Sequence, residues 1–543
     1  MKILAKSFFF FAALLSTTPL YSYDFSEVNE NGTTVYYNII NETLKTCEVT
    51  AMEERHSWSG NDTLLDYVGD LQIPLYANGY KVTRIGDHAF ACCKKLTSLT
   101  LPNSIIAIGR SVFYCCTGLT SVNIPNSVTS IDFYAFYGCT ELTSIEIPNS
   151  VTSIGSHAFH GCTGLTSVSL SSSLTKISPY TFYDCSNLES ITIPASVTTV
   201  GERAFMGCSK IASATFPCVT TLELGAFNGC SSLTSIIIPK SLVSIGNFAF
   251  GGISGVSSIV VDRDNPVFNS NDNCNAIIET STNTLVQGCK NTVIPNTVTT
   301  IGKYAFSSCS SLTSIDIPNS ITCISDYAFS TCRGLTSVDI PNSVTTIGNS
   351  VFTFCYGLTS VTIPNSVTSI GSSVFKYSRS ITSITSYITD VFETGAEAFA
   401  NCENATLYVP HGMVDTYRST IDWNRIANIE EIPGISLAMA CTDHGKVMVN
   451  NYANFTNNIG EISVYDGTEN SFTFIPNEGC RLDRVLINGL DVTKSVKNNQ
   501  LATTILPNSK MMVVFSPIGS DVNGDGRTDI ADVVAIVNII LGQ

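Results

Sequence analysis

The sequence has few charged residues and few of the residues that usually carry out catalysis. Only 13% of its 543 residues are charged, six are histidine and two are tryptophan. Acidic residues outnumber basic residues by 44 to 28, and the formal net charge of −16 opposes binding to nucleic acid or to anionic lipid surfaces. The apolar fraction of 44% is sufficient for a folded core, so we predict a folded protein that does not bind nucleic acid.

Short catalytic motifs are also missing. The chain has no His-Glu-x-x-His, no Gly-x-Ser-x-Gly and no phosphate-binding glycine loop. A cysteine–histidine nucleophile pair would make the chain a cysteine-dependent hydrolase, and that alternative stays open because such a pair is brought together only by the fold. We predict that the chain is not an enzyme.

No apolar run is long enough to span a bilayer. The N-terminus has two lysines followed by Ser-Phe-Phe-Phe-Phe-Ala-Ala-Leu-Leu-Ser, which is typical of a secretory signal peptide, and we assign residues 1–22 to it. The late apolar stretch at 531–542 is too short and contains Asp532 and Asn538. We therefore predict a secreted or bacterial cell-surface protein without membrane insertion.

One short pattern recurs along most of the chain. Residues 147–168 read Ile-Pro-Asn-Ser-Val-Thr-Ser-Ile-Gly-Ser-His-Ala-Phe-His-Gly-Cys-Thr-Gly-Leu-Thr-Ser-Val and closely match the stretches on either side. The recurrent phenylalanines, mostly 23 residues apart, are Phe90, Phe113, Phe136, Phe159, Phe182, Phe205, Phe227, Phe250, Phe306, Phe329, Phe352, Phe375 and Phe399. A fixed period in the twenties predicts a solenoid of thirteen coils, because a single unit cannot bury its apolar face alone.

Each repeat contains residues that predict a strand, a turn and a side that packs in the core. Leu119, Val122 and Ile124 are spaced as the inward residues of a half-buried strand, and the proline that follows ends the strand. We expect the glycine of the Ile-Gly pair to take a positive φ in the next turn. Stacked copies predict a parallel β-sheet, short helical or irregular segments on the convex side, and a spine of phenylalanines.

A cysteine follows the repeat phenylalanine by three residues in most units. These column cysteines are Cys93, Cys116, Cys139, Cys162, Cys185, Cys208, Cys230, Cys309, Cys332, Cys355 and Cys402. Parallel side chains on stacked coils do not match the perpendicular dihedral of a disulfide, and one thiol per coil cannot form a tetrahedral metal site. We predict buried thiols that act as small packing residues, and regard Cys441 with Cys480 and Cys274 with Cys289 as alternative disulfide pairs.

The strand, proline, Ile-Gly, Ala-Phe and Cys pattern resembles the BspA-like subclass of leucine-rich repeats over residues 71–432. The stretch 261–289 interrupts the array as a hairpin-like insertion. Residues 405–432 resemble a closing coil, with a helix carrying Val414, Tyr417 and Trp423. The resemblance implies a non-catalytic, exported binding protein that recognises a protein or glycoprotein, and in some members a host matrix protein.

The repeat region has a predicted module on each side. Residues 23–70 contain alternating stretches that predict a β-rich N-terminal cap, which a solenoid needs to shield its first coil. In residues 435–517 the period is lost, and short apolar stretches separated by Asn-Gly, Asp-Gly and Glu-Gly turns predict a small β-sandwich.

The last segment, 520–543, has the spacing of a calcium-binding loop followed by a helix. Carboxylate and amide oxygens and one backbone carbonyl occupy positions 1, 3, 5, 7, 9 and 12 of an EF-hand-like loop, with Gly526 at the sixth position. The predicted Ca²⁺ ligands are Asp521, Asn523, Asp525, the Arg527 carbonyl, Asp529 and Asp532. The segment resembles half of a type I dockerin, which implies a cohesin-like partner; packing of this loop against the β-module is the simpler alternative.

Aromatic residues recur at two positions of successive coils, and we call this group the aromatic rim. Its members are Tyr114, Tyr134, Tyr137, His157, His160, Tyr180 and Tyr183. A separation of three residues in a tight turn puts both positions on one face, so stacked coils predict an aromatic platform with polar tips that suits protein partners or sugar rings. The alternative is that tyrosine is merely tolerated there.

These features support two hypotheses about function. In the first, the solenoid is a non-catalytic extracellular adhesin whose rim binds a protein or glycoprotein. In the second, the chain is a structural subunit of a carbohydrate-processing assembly, docked through the C-terminal calcium module.

Overall fold

The computed structural model describes residues 23–51, 67–410, 412–432, 434–449, 453–465, 469–478, 480–504 and 509–517. These residues divide into two compact units, one of which contains the repeats and the other most residues after 430. The predicted signal peptide at 1–22 and the predicted calcium loop and helix at 520–543 lie outside the described residues.

The Leu-Thr-Ser stretch of most repeats forms a strand of a first parallel ladder, which is hydrogen-bonded in separate runs of two to five strands; the stretch at 312–314 forms no strand. Its strands are Gly69–Gln72, Leu96–Thr100, Ser121–Asn123, Ser144–Glu146, Ser167–Ser169, Ser190–Thr192, Ser213–Thr215, Ser235–Ile238, Ser258–Val261, Ser337–Asp339, Ser360–Ile363 and Ser383–Ser386, with Thr406–Val409 and Asn428–Glu431 at its end. Equivalent residues pair, as in Ser98 with Ser121 and Leu99 with Val122. Leu119, Val122 and Ile124 are buried, as the alternation predicts.

The Thr-Ser-Ile stretch forms a second parallel ladder on the next side of each coil. Its strands are Thr46–Thr50, Tyr80–Ile85, Ala107–Ile108, Ser130–Ile131, Ser153–Ile154, Lys176–Ile177, Thr199–Val200, Thr221–Leu222, Ser244–Ile245, Thr284–Gly288, Thr300–Ile301, Cys323–Ile324, Thr346–Ile347 and Ser369–Ile370. The repeat therefore builds two parallel ladders where the sequence predicts one sheet. The convex segments are irregular turns.

The phenylalanines form the predicted spine. Their rings are fully or almost fully buried, and successive centroids are 4.9 to 5.9 Å apart from Phe90 to Phe250 and 5.0 to 5.6 Å apart from Phe306 to Phe399. Most spine amides bond to the next coil, as in Phe136 N to Ala158 O at 2.7 Å. Tyr67 contacts the first ring edge-on at 5.1 Å, and Trp423 contacts the last ring at 4.6 Å.

Most column cysteines hydrogen-bond to the spine of the preceding coil. The Cys162 thiol donates to the Phe136 carbonyl at 3.1 Å, and Ser378, which replaces a column cysteine, donates its hydroxyl to the Phe352 carbonyl at 2.6 Å. None of the 20 cysteines, all within the described ranges, is disulfide-bonded, including Cys441 with Cys480 and Cys274 with Cys289.

The expectation for the Ile-Gly glycine is wrong, because its φ is not positive. A Cβ built at Gly155 would lie 2.4 Å from the backbone nitrogen of Phe133 on the preceding coil, so glycine is favoured there by close approach. The positive φ comes two residues later, as at His157 with φ 59°. Four coils have a side chain at the glycine position, each between two glycine coils: Asp132, Ser178, Glu223 and Ser325.

The N-terminal cap continues the second ladder. Phe25–Val28 and Thr34–Asn41 pair in antiparallel fashion, the latter pairs with Thr46–Thr50, and this strand pairs in parallel with Tyr80–Ile85. The short strand Tyr76–Ala77 also pairs with Tyr80–Ile85. The cap thereby covers the open edge of the first coil.

The insertion is an antiparallel hairpin that rejoins the stack. Its strands are Phe268–Asn269, Ala276–Glu279 and Thr284–Gly288, with a 3-10 turn at Asn271–Asn273. The third strand pairs in parallel with Thr300–Ile301, and Gly288 N donates to Ala305 O at 2.8 Å, the bond that a spine phenylalanine makes elsewhere. The insertion therefore supplies the second-ladder strand and one spine bond of a coil, while the Phe250 coil also bonds directly to the Phe306 coil through Gly252 N and Ser307 O at 3.1 Å.

The closing segment differs from the predicted single helix. The α-helix spans Val414–Ser419, and Trp423 lies in a separate 3-10 turn, Trp423–Arg425, because Asp422 between them has φ 69°. Tyr417 and Trp423 are fully buried with edge-to-face rings. Trp423 Nε1 donates to the Phe392 carbonyl at 3.0 Å.

The C-terminal unit does not support the predicted two-sheet sandwich. Its strands are Gly434–Val449, Ala453–Tyr465, Glu469–Pro476, Cys480–Ile487, Leu490–Asp491, Gln500–Thr504 and Lys510–Pro517, with a 3-10 turn at Thr493–Ser495. They form one hydrogen-bonded set, because the 16-residue strand Gly434–Val449 pairs with Lys510–Pro517 along its first half and with Glu469–Pro476 along its second. The Asn488-Gly489 turn has both residues at positive φ, as the sequence predicts.

Candidate functional site

The aromatic rim forms two ladders of stacked side chains. Along the position after the spine phenylalanine, ring centroids are 4.7 Å apart for Tyr114–Tyr137, 4.6 Å for Tyr137–His160 and 4.5 Å for His160–Tyr183. Along the position two residues before it, they are 4.8 Å apart for Tyr134–His157 and 4.5 Å for His157–Tyr180. The two ladders are 5.5 to 5.8 Å apart within each coil. The structure thus brings all seven predicted residues together.

A tight turn in each coil places the two ladders side by side. Tyr134, His157 and Tyr180 have φ between 56° and 59°, a conformation that reverses the chain. The amide three residues later bonds back, as in His160 N to His157 O at 3.2 Å. Gly161 N donates to Tyr183 O on the next coil at 2.7 Å, so the backbone that carries the rings is fixed from coil to coil.

Stacking within the ladders covers the ring faces, which corrects the predicted platform. Because the rings lie above one another along the solenoid axis, only their edges and polar tips point to solvent, and all seven side chains are half-buried. A sugar ring needs an open aromatic face to stack on. The rim therefore offers hydroxyls and imidazole edges for hydrogen bonding.

Burial favours the uncharged forms of four rim residues, His157, His160, Tyr114 and Tyr137. Burial lowers the pKa of His157, and burial together with the His157 charge lowers the pKa of His160 to about 4. Burial raises the pKa of Tyr114 to about 12 and also raises the pKa of Tyr137. His160 Nδ1 is buried without a hydrogen-bond partner among the described residues. Burial thus favours hydrogen bonding by these four side chains in their uncharged forms.

The aromatic ladder of Tyr134, His157 and Tyr180 ends at an ion pair between Glu202 and Arg203. The Tyr180 hydroxyl donates to Glu202 Oε1 at 2.9 Å, and the Arg203 guanidinium lies 5.6 Å from the centroid of the Tyr180 ring. Arg203 also contacts Glu202 at 3.1 Å. The Arg203 guanidinium also donates to the Tyr180 hydroxyl, so the polar tip at this end of the ladder is already hydrogen-bonded.

Sequence reasoning missed a second set of aromatic contacts in later coils. Tyr304 and Tyr327 occupy the position two residues before the spine and stack at 5.0 Å, and Phe354 and Tyr377 occupy the position two residues after it and stack at 4.8 Å. The signal was present, because the same alignment of coils that reveals the aromatic rim also aligns these residues.

The outward face of the first β-strand ladder, formed by the Leu-Thr-Ser strands, is less suited to recognition than the aromatic rim. Threonine hydroxyls beside these strands donate to carbonyls of the preceding coil, as in Thr120 to Thr97 O at 2.9 Å and Thr359 to Thr336 O at 3.0 Å. The next outward column is exposed and mostly small or acidic, as at Asn123, Glu146 and Asp339. Many hydroxyls on this face are therefore already used by the backbone.

Two further properties of the described residues are their possible metal sites and their possible membrane-spanning helices. They contain no cluster of three or more His, Cys, Asp or Glu side chains that could hold a metal ion, and the predicted calcium ligands lie outside them. Their one α-helix, Val414–Ser419, is far too short to cross a bilayer.

Comparison with solved structures gives several leucine-rich repeat proteins. A leucine-rich cell surface protein from Faecalibacterium prausnitzii is 27% identical with a TM-score of 0.46, covering 67% of this chain and 94% of its own. A leucine-rich repeat protein from Bacteroides ovatus is 25% identical with a TM-score of 0.44, covering 76% of this chain and all of its own. A search of curated proteins gave no match.

Comparison with protein families gives a match over most of the chain. The model described as the BspA type leucine-rich repeat region matches residues 77–189, 175–287 and 276–406. The matched region contains most strands of the two ladders, the whole phenylalanine spine and all seven residues of the aromatic rim. The chain belongs to the BspA-type leucine-rich repeat family.

Proposed function

We propose that the chain is a non-catalytic scaffold, secreted or at the bacterial cell surface, that binds a protein or glycoprotein through the aromatic rim. Family membership supports the binding role, because leucine-rich repeat proteins are typically non-catalytic binding proteins. The signal-like N-terminus supports export. A host matrix protein is one ligand that this family suggests.

The observation that carries the proposal is the pair of aromatic ladders. Tyrosine presents a large, rigid surface with a polar tip at low entropic cost, which is why it is enriched in binding surfaces. Here, coil-to-coil hydrogen bonds fix the backbone beneath each ring, so little conformational entropy is lost when a partner binds. The hydroxyl and imidazole edges of the rim favour hydrogen bonds to backbone amides or to sugar hydroxyls.

A rim variant tests this proposal. We expect the triple substitution Tyr137→Ala, His160→Ala and Tyr183→Ala to weaken binding to the array component that the wild type recognises by at least about tenfold, as for a central cluster of aromatic contacts. The measurement is binding of the full chain to an array of glycans and matrix proteins, followed by titration of the component that binds.

The matched control changes exposed strand residues of the same coils, outside the aromatic rim. The triple substitution Asn123→Ala, Glu146→Ala and Ser169→Ala removes three exposed side chains of the first ladder and should leave binding unchanged. Wild-type binding by the rim variant, or equal loss in both variants, would refute the role of the rim.

The C-terminal segment supports a second proposal, that a calcium module attaches the chain to an assembly. Hard oxygen ligands at EF-hand spacing favour Ca²⁺.

We expect Ca²⁺ to bind to the full chain and to raise its melting temperature relative to a sample with a chelator. We expect the double variant Asp521→Ala, Asp525→Ala to lose both effects. Calorimetry makes both measurements, and wild-type protein that neither binds Ca²⁺ nor changes its melting would remove the site. Calcium-dependent capture of a cohesin domain would then separate docking from simple stabilisation.

A further inference from the structure

Five coils depart from the repeat at one surface position: two have Lys94 and Glu403, and three successive coils have arginine or tyrosine. Four residues after the spine phenylalanine, most coils have a small hydroxyl residue: Thr117, Thr140, Thr163, Ser186, Ser209, Ser231, Ser254 and Ser310. Several of these bond to the preceding coil, as in Ser209 to Ser186 O at 3.3 Å. The coils of Phe329, Phe352 and Phe375 have Arg333, Tyr356 and Arg379 instead. A surface position whose residue type differs from the rest of the repeat in adjacent coils can determine which partner is bound.

These residues surround two aromatic rings, and together they form what we call the arginine–tyrosine cluster: Arg333, Phe354, Tyr356, Tyr377 and Arg379. Phe354 and Tyr377 stack at 4.8 Å, and Phe354 meets Tyr356 edge-on at 6.1 Å. The guanidinium of Arg333 lies 5.5 Å from the centroid of Tyr356, and that of Arg379 lies 5.9 Å from the centroid of Tyr377. Phe354 and Tyr356 are 36% and 43% exposed, so the cluster is open to solvent.

The backbone beneath the cluster is strained. Phe354 has φ 58° and Tyr377 has φ 64°, a region that large side chains rarely occupy. Five other coils have glycine at this position: Gly138, Gly161, Gly207, Gly229 and Gly252. A left-handed conformation costs a non-glycine residue about 1–2 kcal/mol, and exposed rings recover only part of it by burial. The same conformation occurs at Cys92, Cys115, Asp184, Ser308, Thr331 and Asn401, so the repeat imposes it and it does not by itself distinguish the cluster.

The two arginines have no carboxylate partner within 4 Å among the described residues, although the chain is acidic overall. Nearby carboxylates are engaged elsewhere: Asp326 pairs with Lys303, and Glu397 pairs with Lys376. Glu403 occupies the equivalent position of the coil after Arg379, and its carboxylate accepts a hydrogen bond from Asn401 N at 3.2 Å. Two planar guanidinium groups are therefore available for an anionic partner.

We propose that the arginine–tyrosine cluster is an interaction surface for an acidic segment of a partner protein. Guanidinium groups bind carboxylates in a bidentate manner, so Arg333 and Arg379 each suit an aspartate or glutamate side chain. The exposed parts of Phe354 and Tyr356 between them suit an apolar side chain. Tyrosine and arginine are the residue types that dominate binding energy in protein interfaces. This surface is separate from the aromatic rim and does not depend on it.

A fluorescent random copolymer of glutamate and tyrosine probes the surface. We expect the full chain to bind it, and expect the double variant Arg333→Gln, Arg379→Gln to bind about tenfold more weakly. The matched control Lys240→Gln, Arg263→Gln changes the net charge equally at exposed positions and should bind as the wild type does. Glu403→Gln should strengthen binding about twofold by removing a neighbouring carboxylate. Fluorescence anisotropy measures each affinity.

Other outcomes would overturn the proposal. Equal losses in the two double variants would mean attraction to net charge alone. Equal affinity for polyglutamate would mean that the aromatic residues contribute nothing, and binding of heparin without binding of the copolymer would assign the surface to a sulfated polysaccharide. Because the side chains are exposed, both double variants should melt at the wild-type temperature, which separates a loss of binding from a loss of folding.

Discussion

Replacing Phe159 by alanine is expected to lower the free energy of unfolding by about 3–5 kcal/mol. The ring is fully buried and stacks on Phe136 at 5.0 Å and on Phe182 at 5.3 Å, so its removal leaves a cavity between two coils. Each coil of a solenoid is stabilised mainly by its neighbours, and the loss should therefore separate the coils on either side into less cooperative blocks. Urea unfolding measures the effect, which should appear as a lower midpoint or as a second transition.

The neighbouring Phe133 provides the control for this substitution. It lies on the surface with 44% exposure, and Phe133→Ala should change the free energy of unfolding by less than about 0.5 kcal/mol. Amide exchange should accelerate around residues 136–182 in the Phe159 variant, with a smaller change around residues 329–375. Equal destabilisation by the two substitutions would show that Phe159 is not part of a buried spine.

The column cysteines are expected to resist thiol reagents until the protein unfolds. Burial raises the pKa of Cys309, Cys355 and Cys402 to about 12, and raises the pKa of Cys139, Cys185, Cys230 and Cys332 well above its usual value. The reactive thiolate is therefore scarce and inaccessible in the folded chain. Mass spectrometry of native, unreduced protein should find rapid labelling at the exposed Cys218 and slower labelling at half-buried cysteines such as Cys92 and Cys115.

Denaturation without reductant should then expose the whole column. All eleven column cysteines should be labelled, because each thiol donates to a carbonyl or packs in the core and none is needed for a disulfide. The unfolding transition and the labelling should coincide. Fewer titratable thiols than column cysteines would contradict this account, and would show that oxidation locks adjacent coils together.

The repeat period accounts for what sequence reasoning predicts well. Positions 23 residues apart lie above one another, so aligning the repeats places Phe136 over Phe113 and His160 over Tyr137 without any knowledge of the side chains' contacts. The solenoid, the buried cysteine column and the grouping of the rim residues follow from that single fact. Whether the rim binds a ligand stays a prediction.

Contacts across coils account for what sequence reasoning misses. The sequence does not show whether glycine is favoured at position 155 by a positive φ or by close backbone approach. The position of the Phe133 backbone shows that close approach is the reason. Stacked rings in the rim hide their faces, a consequence of their mutual orientation and not of their identity. In the C-terminal unit, pairing of Gly434–Val449 with different partners along its length cannot be derived from alternation alone.

The most direct test of the account is a crystal structure of the full chain at a resolution that shows side chains. We predict that the phenylalanines from Phe90 to Phe250 and from Phe306 to Phe399 will lie in two continuous stacks with centroids about 5 Å apart, close to the spacing of paired strands. The rim residues should follow the same spacing on the surface. Phenylalanines dispersed among separate globular cores would contradict the solenoid, and with it the proposal that repeat positions which vary from coil to coil form the binding surfaces.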